Sequence, residues 1–347
     1  MNLFDYTRPA SVDEAIAAWS PEAAWLGGGT NLVDLMKVGV VHPAKLIDLT
    51  RLPGLDRIET LPDGSTRIGA MVRNADLAHD ASFAAGFPMV AEALLSGASG
   101  QLRNAATVAG NLMQRTRCAY FADPHSACNR RTPGVGCDAK EGDNGGHAVL
   151  GWSASCIATN PSDFCVALAA LDAVIEVQGP NGKRNIAFAD FHLLPGDTPE
   201  RETALRPGEL VLAIRLPAEA ALFQSHSRYL KLRERTSFAF ALVSAAAALR
   251  LENGRIVTAR LALGAVAAKP WRVPAAEALL LGHMPDAALF ARAAAEAITG
   301  AAASDDNAHK IELARRIAVR ALTMAALGTP ARLPALPASV FGEPAHV

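Results

Sequence analysis

Five cysteines are the residues whose number and spacing most clearly point to chemistry in this chain. Nine, eight and eighteen residues separate the first four, and the full set is Cys118, Cys128, Cys137, Cys156 and Cys165. None forms the short C-x₂₋₄-C pair that is typical of zinc fingers and ribbons. Disulfides need an oxidising compartment, and an odd count leaves one thiol over. Four thiolates at varied spacings can hold an iron–sulfur cluster. The spacing leaves a cluster, a zinc ion and unliganded thiols open.

The residues around the cysteines add charge but no catalytic group. Arg115, Arg117, Arg130 and Arg131 could offset the negative charge of a thiolate-ligated cluster. His125 and His147 lie in the same irregular segment, where histidines are more often solvated than ligating. Cys165 falls in an apolar run and is expected to be a buried core thiol. No Ser-His-Asp set or paired carboxylates indicate hydrolysis, so no catalytic residue is predicted.

A glycine-rich turn, Gly27–Asn31, follows a predicted strand and precedes a predicted helical turn. Three glycines allow a close approach of the backbone, and successive free amides can cradle a pyrophosphate. The spacing matches neither G-x-G-x-x-G nor a Walker A loop. A plain tight turn is the alternative.

A second turn of the same character, Thr107–Asn111, lies about eighty residues further along. Each turn is predicted to end a strand. We therefore expect the two loops to converge on one extended ligand with a diphosphate, which a dinucleotide fits better than a mononucleotide. Asp163, in the segment Asn160–Asp163, has a purely structural interpretation as the N-cap of the following helix.

The elements that must position these turns follow from local signals. Ser11 and Glu14 fit a capping box. Pro88 opens a helix to Ser96, and Asn253-Gly254 predicts a type I′ hairpin. Further strands are predicted over 24–26, 45–49 and 66–71, helices after Asp286 and over 307–328, an irregular stretch over 115–151, and a proline-rich connection over 188–217.

Composition excludes some function classes. The chain has 347 residues, a formal net charge of −1 and 50% apolar residues, as in ordinary globular proteins. A neutral balance disfavours a nucleic-acid partner. No apolar stretch is long enough for a membrane span, and the first eight residues lack a secretory signal, so the default expectation is cytoplasmic.

These motifs resemble the FAD-binding medium subunit of the xanthine dehydrogenase and carbon monoxide dehydrogenase family of molybdenum hydroxylases, from Phe4 to about Leu327. Gly27–Leu32 is similar to that family's first flavin loop and Thr107–Asn111 to its second. The inserted cysteine-bearing segment, 115–153, is similar to that in the FAD and [4Fe–4S] subunit of bacterial periplasmic aldehyde oxidoreductase. That likeness implies a periplasmic location, with export on a signal-bearing partner.

The resemblance implies specific ligands. Cys118, Cys128, Cys137 and Cys156 are expected to hold a [4Fe–4S] cluster. The residues expected to contact FAD are Leu26, Gly27, Gly28, Gly29, Thr30, Asn31, Leu32, Ala70, Ala98, Thr107, Gly110, Asn111, Ser162, Asp163 and Lys231. Asp163 is expected to accept a hydrogen bond from FAD, and Lys231 to lie near the flavin.

We therefore predict an α+β fold in which two α/β subdomains clasp FAD and a C-terminal domain carries a hairpin sheet and helices. The expected boundaries are 1–55, 56–217 with a cysteine-rich insertion at about 115–156, 218–330, and a tail over 331–347. The resemblance implies an electron-transfer subunit of a heterotrimeric aldehyde oxidoreductase, with a large molybdenum-cofactor partner, a small [2Fe–2S] partner and an external acceptor. A stand-alone FAD oxidase and a zinc-stabilised interaction subunit are the alternatives.

Overall fold

A computed structural model describes residues 1–331, and three β-sheets organise this part of the chain. The predicted tail, except Ala331, lies outside the described residues. Within residues 1–331 no helix is both long and apolar enough to cross a membrane. The mixture of sheets and helices confirms the predicted α+β class.

The first sheet is small and parallel, with the order β1-β3-β2. Its elements are β1 (Asp5–Thr7), α1 (Val12–Ala18), β2 (Ala23–Leu26), α2 (Leu32–Lys37) and β3 (Lys45–Asp48). Ser11 Oγ accepts from the Glu14 amide at 3.1 Å, as the capping box predicts. The Glu14 carboxylate instead accepts from the amide of Ala10, one residue before the cap, at 2.8 Å.

The second sheet is antiparallel, with the order β4-β5-β8-β6-β7. Its strands are β4 (Ile58–Thr60), β5 (Thr66–Gly69), β6 (Val174–Gly179), β7 (Gly182–Ala187) and β8 (Leu210–Leu216). The proline-rich segment over 188–217 is therefore more than a connection, because it ends in the central strand β8. The run Leu210–Leu216 is almost entirely apolar, as expected of a buried strand, but the prolines on both sides of it favoured a connection.

Seven helices lie between β5 and β8 along the chain outside the cysteine-rich segment, and two of them begin at the second turn and at Asp163. They are α3 (Asn74–His79), α4 (Ala81–Gly86), α5 (Pro88–Ser96), α6 (Gly100–Ala105), α7 (Val108–Leu112), α9 (Asp163–Ala170) and α10 (Phe188–Phe191). The cysteine-rich segment between α7 and α9 contains only α8 (Ala119–Ala122) and a 3₁₀ turn over Asp138–Lys140. Its remaining residues form turns and isolated bridges, as predicted for 115–151.

The third sheet is antiparallel, with the order β12-β11-β10-β9. A 3₁₀ helix, Ala218–Phe223, precedes it, and its strands and helices are β9 (Ser227–Leu232), β10 (Val243–Glu252), β11 (Arg255–Gly264), β12 (Trp271–Arg272), α11 (Pro274–Ala278), α12 (Ala287–Ala297) and α13 (His309–Leu327). Asn253 and Gly254 have φ of 51° and 74°, which confirms the predicted type I′ turn. Asp286 caps α12 by accepting from the Leu289 amide, as predicted.

Candidate functional site

The first glycine turn packs directly against the chain that leads into α7. A Cβ on Gly28 would lie 1.9 Å from the carbonyl oxygen of Ala105, and one on Gly27 would lie 2.9 Å from Thr107 Oγ1. The contact at Gly28 is with backbone, which leaves no room for a side chain. The two predicted flavin loops are therefore neighbours in space.

The amides of the first turn are free to bind a ligand. Within residues 1–331, those of Gly27–Asn31 donate to no protein acceptor. Asn31 Oδ1 accepts from the backbone amide of Arg115 at 3.0 Å, while its buried Nδ2 lacks a partner in the described chain. Unpaired amides in a turn between strand and helix suit a pyrophosphate.

The second turn is the start of a helix. Thr107 caps α7, because its Oγ1 accepts from the Gly110 amide at 3.2 Å. The expectation that this turn ends a strand is wrong: α6 precedes it, and Thr107 makes only an isolated bridge with Arg73. Asn111 Oδ1 accepts from the Ser162 hydroxyl at 2.8 Å, which joins this turn to the start of α9.

Ser162, and not Asp163, caps α9. The Ser162 hydroxyl accepts from the Cys165 amide at 3.1 Å, so the simple interpretation of Asp163 as the N-cap is wrong. Asp163 Oδ1 instead accepts from the Tyr229 hydroxyl at 2.5 Å, and its Oδ2 accepts from Lys231 Nζ at 2.7 Å. Only 8% of the Asp163 side chain and 3% of the Lys231 side chain are exposed.

Sequence reasoning missed Tyr229, although the signal was available. Tyr229 and Lys231 alternate along β9 and so share a face of the sheet. Burial, reinforced by Asp163, raises the pKa of Tyr229 well above its ordinary value. The hydroxyl therefore stays protonated and remains a donor to the carboxylate.

Of the two predicted alanines, Ala70 contacts the second turn and Ala98 lies on the segment that Lys231 approaches. Ala70 is fully buried, and its carbonyl accepts from the Ala109 amide at 3.1 Å. Ala98 has φ of 52°, a left-handed conformation that is uncommon outside glycine. Lys231 Nζ also donates to the carbonyl of Ser96 at 3.1 Å, so the lysine approaches the segment that carries Ala98.

All four clustered cysteines line one small cavity. Thr116, Phe121, Arg130 and Ile157 also line it. The backbones of Cys128 and Cys137 form an antiparallel bridge, and the five cysteines of the chain are free thiols. Burial raises the pKa of Cys118 to about 11 and also raises that of Cys137. These thiols are reluctant to ionise without a compensating positive charge.

Cys165 stands apart from this cavity. It is fully buried on α9, and burial raises its pKa to about 12. The prediction of a core thiol is confirmed. Among residues 1–331, no group of three or more His, Cys, Asp or Glu side chains is arranged to hold a single metal ion.

Of the four arginines singled out, only Arg130 reaches a cysteine. Its Nη2 donates to Cys156 Sγ at 3.7 Å, and its Nη1 lies 3.1 Å from Glu202. Arg115 also pairs with Glu202 and stacks over Phe121. The other two lie elsewhere: Arg117 stacks over the Phe240 ring, and Arg131 donates to backbone carbonyls.

Of the two histidines in this segment, one is exposed and the other lies beside a cysteine. His125 is exposed. His147 is buried, and its Nε2 lies 3.2 Å from Cys118 Sγ. The expectation of two solvated histidines is therefore wrong for His147.

The cysteine cavity adjoins the first glycine turn. Arg115, whose amide binds Asn31, is three residues from Cys118, a span of at most about 11 Å. Leu35 of α2 belongs to a small apolar cluster with Phe121 and Cys128. The helix that begins at the glycine turn therefore packs on the cysteine-rich segment.

A second cavity, of about 300 Å³, lies alongside. It shares Thr116 and Arg130 with the cysteine cavity, and Asn160 and Pro161, just before Ser162, line it as well. None of the residues predicted to bind FAD lines it.

Comparison with known proteins identifies the class. Residues 2–219 match the family described as the FAD binding domain in molybdopterin dehydrogenase. Residues 228–328 match the C-terminal domain of the carbon monoxide dehydrogenase flavoprotein. The chain therefore belongs to the FAD-binding medium subunits of the xanthine and carbon monoxide dehydrogenase family, which are oxidoreductase subunits of molybdenum hydroxylases.

Individual relatives agree. The chain is 51% identical to the aldehyde oxidoreductase FAD-binding subunit of Escherichia coli over 283 residues, which is 81% of this chain and 86% of that one. It is 29% identical to the carbon monoxide dehydrogenase medium chain of Afipia carboxidovorans, over 87% of this chain and 88% of that one. Quinoline 2-oxidoreductase from Pseudomonas putida 86 superposes with a TM-score of 0.72 at 26% identity, covering 94% of this chain and 99% of that one.

Proposed function

We propose that this chain is the electron-transferring FAD subunit of a molybdenum-containing aldehyde oxidoreductase, and that Cys118, Cys128, Cys137 and Cys156 hold a [4Fe–4S] cluster. The aldehyde as substrate class is supported by the 51% identity to the aldehyde oxidoreductase subunit. The observation that carries the proposal is the placement of four cysteines around one cavity that adjoins the first glycine turn.

The residues present fit FAD. The free amides of Gly27–Asn31 would hold the pyrophosphate, and the Thr107–Asn111 turn, which packs against them, would close the other side. FAD supplies the redox chemistry when bound, while the chain binds, orients and shields it. The resemblance implies that Asp163 and Lys231 lie beside the flavin, and the transfer of electrons requires no acid or base from either.

The residues also suit a four-thiolate cluster, because the four cysteines line one cavity. Each thiolate of a [4Fe–4S] cluster binds a different iron. The buried guanidinium beside Cys156 supplies a positive charge that would favour thiolates.

In this proposal electrons reach the subunit from a small [2Fe–2S] partner and leave it for an external acceptor. A large partner with molybdenum cofactor would oxidise the aldehyde. Co-purification of the tagged chain with two further polypeptides tests the assembly. Isolation of an active, flavin-loaded monomer that oxidises substrate alone would instead indicate a stand-alone oxidase.

We also propose a periplasmic location, which the resemblance to a periplasmic enzyme supports. Fractionation of cells that express all three subunits tests it. Recovery of the assembled protein only from the cytoplasmic fraction would contradict it.

Iron, sulfide, zinc and flavin analysis of the anaerobically purified chain tests the cofactor assignment. About four irons, four sulfides and one FAD per chain are expected. Substitution of Cys137 by Ser should remove most of the iron and sulfide, whereas Cys165→Ser, at a thiol away from the cavity, should retain both. Zinc without iron, or equal iron in both variants, would contradict the cluster.

A further inference from the structure

Two nitrogen donors face sulfurs of the cysteine cavity. His147 Nε2 lies 3.2 Å from Cys118 Sγ, and Arg130 Nη2 lies 3.7 Å from Cys156 Sγ. Only 9% of His147 and 6% of Arg130 are exposed. A polar side chain is costly to bury without a partner, so both orientations require a reason.

Arg130 brings a surplus positive charge to the cavity. Glu202 pairs with both Arg130 and Arg115, so one carboxylate is shared by two guanidiniums. Arg130 Nε has no hydrogen-bond partner in the part of the chain that the structure describes. An anionic group in the cavity would neutralise this surplus.

A network of hydrogen bonds from the start of α13 holds His147. Lys310 is fully buried, and its Nζ donates to the carbonyls of Gly146 at 2.7 Å, His147 at 2.8 Å and Ala265 at 2.6 Å. Asn307 Nδ2 donates to the carbonyl of the next residue, Ala148, at 3.0 Å. The backbone carbonyls of residues 146–148 therefore accept hydrogen bonds from residues 307 and 310, where α13 begins.

The surroundings of the ring indicate which nitrogen carries the proton. Nε2 is the nitrogen that faces the Cys118 sulfur, at 3.2 Å. A thiolate bound to iron carries no hydrogen and can only accept, so the hydrogen of this contact must lie on Nε2.

We propose that Arg130 and His147 donate hydrogen bonds to two cluster thiolates and thereby raise the reduction potential of the cluster, and that Lys310 is the positioning residue for His147. This inference rests on the proposed cluster. Reduction adds negative charge, so N–H donors and a guanidinium stabilise the reduced form more than the oxidised form. None of these residues is a proposed ligand.

A redox titration of the purified complex, followed by the EPR signal of the reduced cluster, tests the role of the donors. Arg130→Met and His147→Met should each lower the equilibrium constant for cluster reduction by about tenfold or more, which is about 59 mV for a one-electron couple. Arg130→Lys and His147→Gln keep a donor and should shift the potential less. His125→Gln, at an exposed histidine, should leave it unchanged.

The role of Lys310 is tested by a double-variant comparison. Lys310→Met should lower the potential in the same direction as His147→Met, and the double variant should fall no further than His147→Met alone. Additive shifts would overturn the positioning role. If a methionine variant loses iron, the conservative variants at the same site decide the outcome.

The possible results separate this inference from the proposed function. A wild-type chain without iron and sulfide would contradict the cluster itself. A wild-type cluster whose potential is the same in iron-loaded Arg130 and His147 variants would overturn the inference and leave the proposed function standing.

Discussion

Asp163 is a carboxylate taken almost completely out of water and held by two partners from another sheet. The Tyr229 hydroxyl and Lys231 Nζ both come from β9, whereas Asp163 begins α9. The contact joins the part of the chain that carries the second turn to the C-terminal sheet. It also shows that a carboxylate expected to bind FAD has structural partners of its own.

We expect Lys231→Met to destabilise the fold by about 3–5 kcal/mol, because removal of one partner leaves a buried charge uncompensated. Arg250→Met is the matched control. Arg250 pairs with Glu252, and their side chains are 44% and 52% exposed, so its loss should cost less than about 1 kcal/mol. Urea unfolding of both variants measures the difference, and equal losses would contradict a buried pair.

Gly28 gives a second prediction at the residue scale. A Cβ there would meet the Ala105 carbonyl, so Gly28→Ala must push the two turns apart. Overpacking of this kind costs about 1–3 kcal/mol, and we expect FAD binding to weaken by roughly 5- to 150-fold if that cost falls on the bound state.

Flavin content after dialysis, measured by absorbance, checks this expectation. Gly86→Ala is the control, because no atom lies within 4 Å of the Cβ position at Gly86. Full retention of FAD in Gly28→Ala would mean that the contact between the turns does not shape the binding site.

Among the elements, the first and second sheets are joined at Glu209. Trp25 in β2 donates its Nε1–H to the Glu209 carbonyl at 3.1 Å, and Arg184 in β7 pairs with the Glu209 carboxylate at 2.7 Å. Only 6% of the Glu209 side chain is exposed. The hydrogen bond from Arg184 lowers the pKa of Glu209 below its ordinary value.

A depressed folded-state pKa fixes the sign of the pH dependence. The unfolded chain takes up the proton first as pH falls, so the contribution of Glu209 is present above about pH 4.5 and is lost as pH falls through the folded-state pKa. We expect Glu209→Gln to cost about 1–3 kcal/mol at pH 7. Urea midpoints of the wild type and this variant should converge as pH falls through the folded-state pKa of Glu209, and a gap independent of pH would contradict the ion pair.

Elements with clear local signals could be predicted from the sequence. Pro88 and Asn253-Gly254 act within a few residues, and their helix and hairpin form as expected. Strand β8 was missed because prolines flank its apolar run, although its partner β5, more than 140 residues earlier, was predicted. The Thr107 turn was assigned to a strand because its cap and glycine suit either context.

The candidate site, too, could be predicted from the sequence only in part. Cysteine spacing left three possibilities open, and only the folded chain shows four cysteines at one cavity. The contact of His147 with Cys118 spans 29 residues of irregular chain, and the contact of Tyr229 with Asp163 spans 66 residues. The alternation of Tyr229 and Lys231 places both on one face of a strand, but no sequence signal identifies the partner in either contact.

At the scale of the whole molecule, we propose that FAD and a [4Fe–4S] cluster occupy adjoining sites in this one chain. Arg115 links them, because its amide binds Asn31 and its side chain pairs with Glu202, the partner of Arg130. Lys310 in the C-terminal helix α13 donates a hydrogen bond to the carbonyl of His147. Residues from the first turn, the cysteine-rich segment and the C-terminal helix therefore contribute to the two proposed sites.

An anaerobic reductive titration of the purified chain tests whether both cofactors are present, with the flavin bands and the cluster EPR signal followed together. We expect uptake of about three electrons per chain, two by FAD and one by the cluster. Uptake of about two electrons, confined to the flavin bands and without a cluster signal, would contradict it.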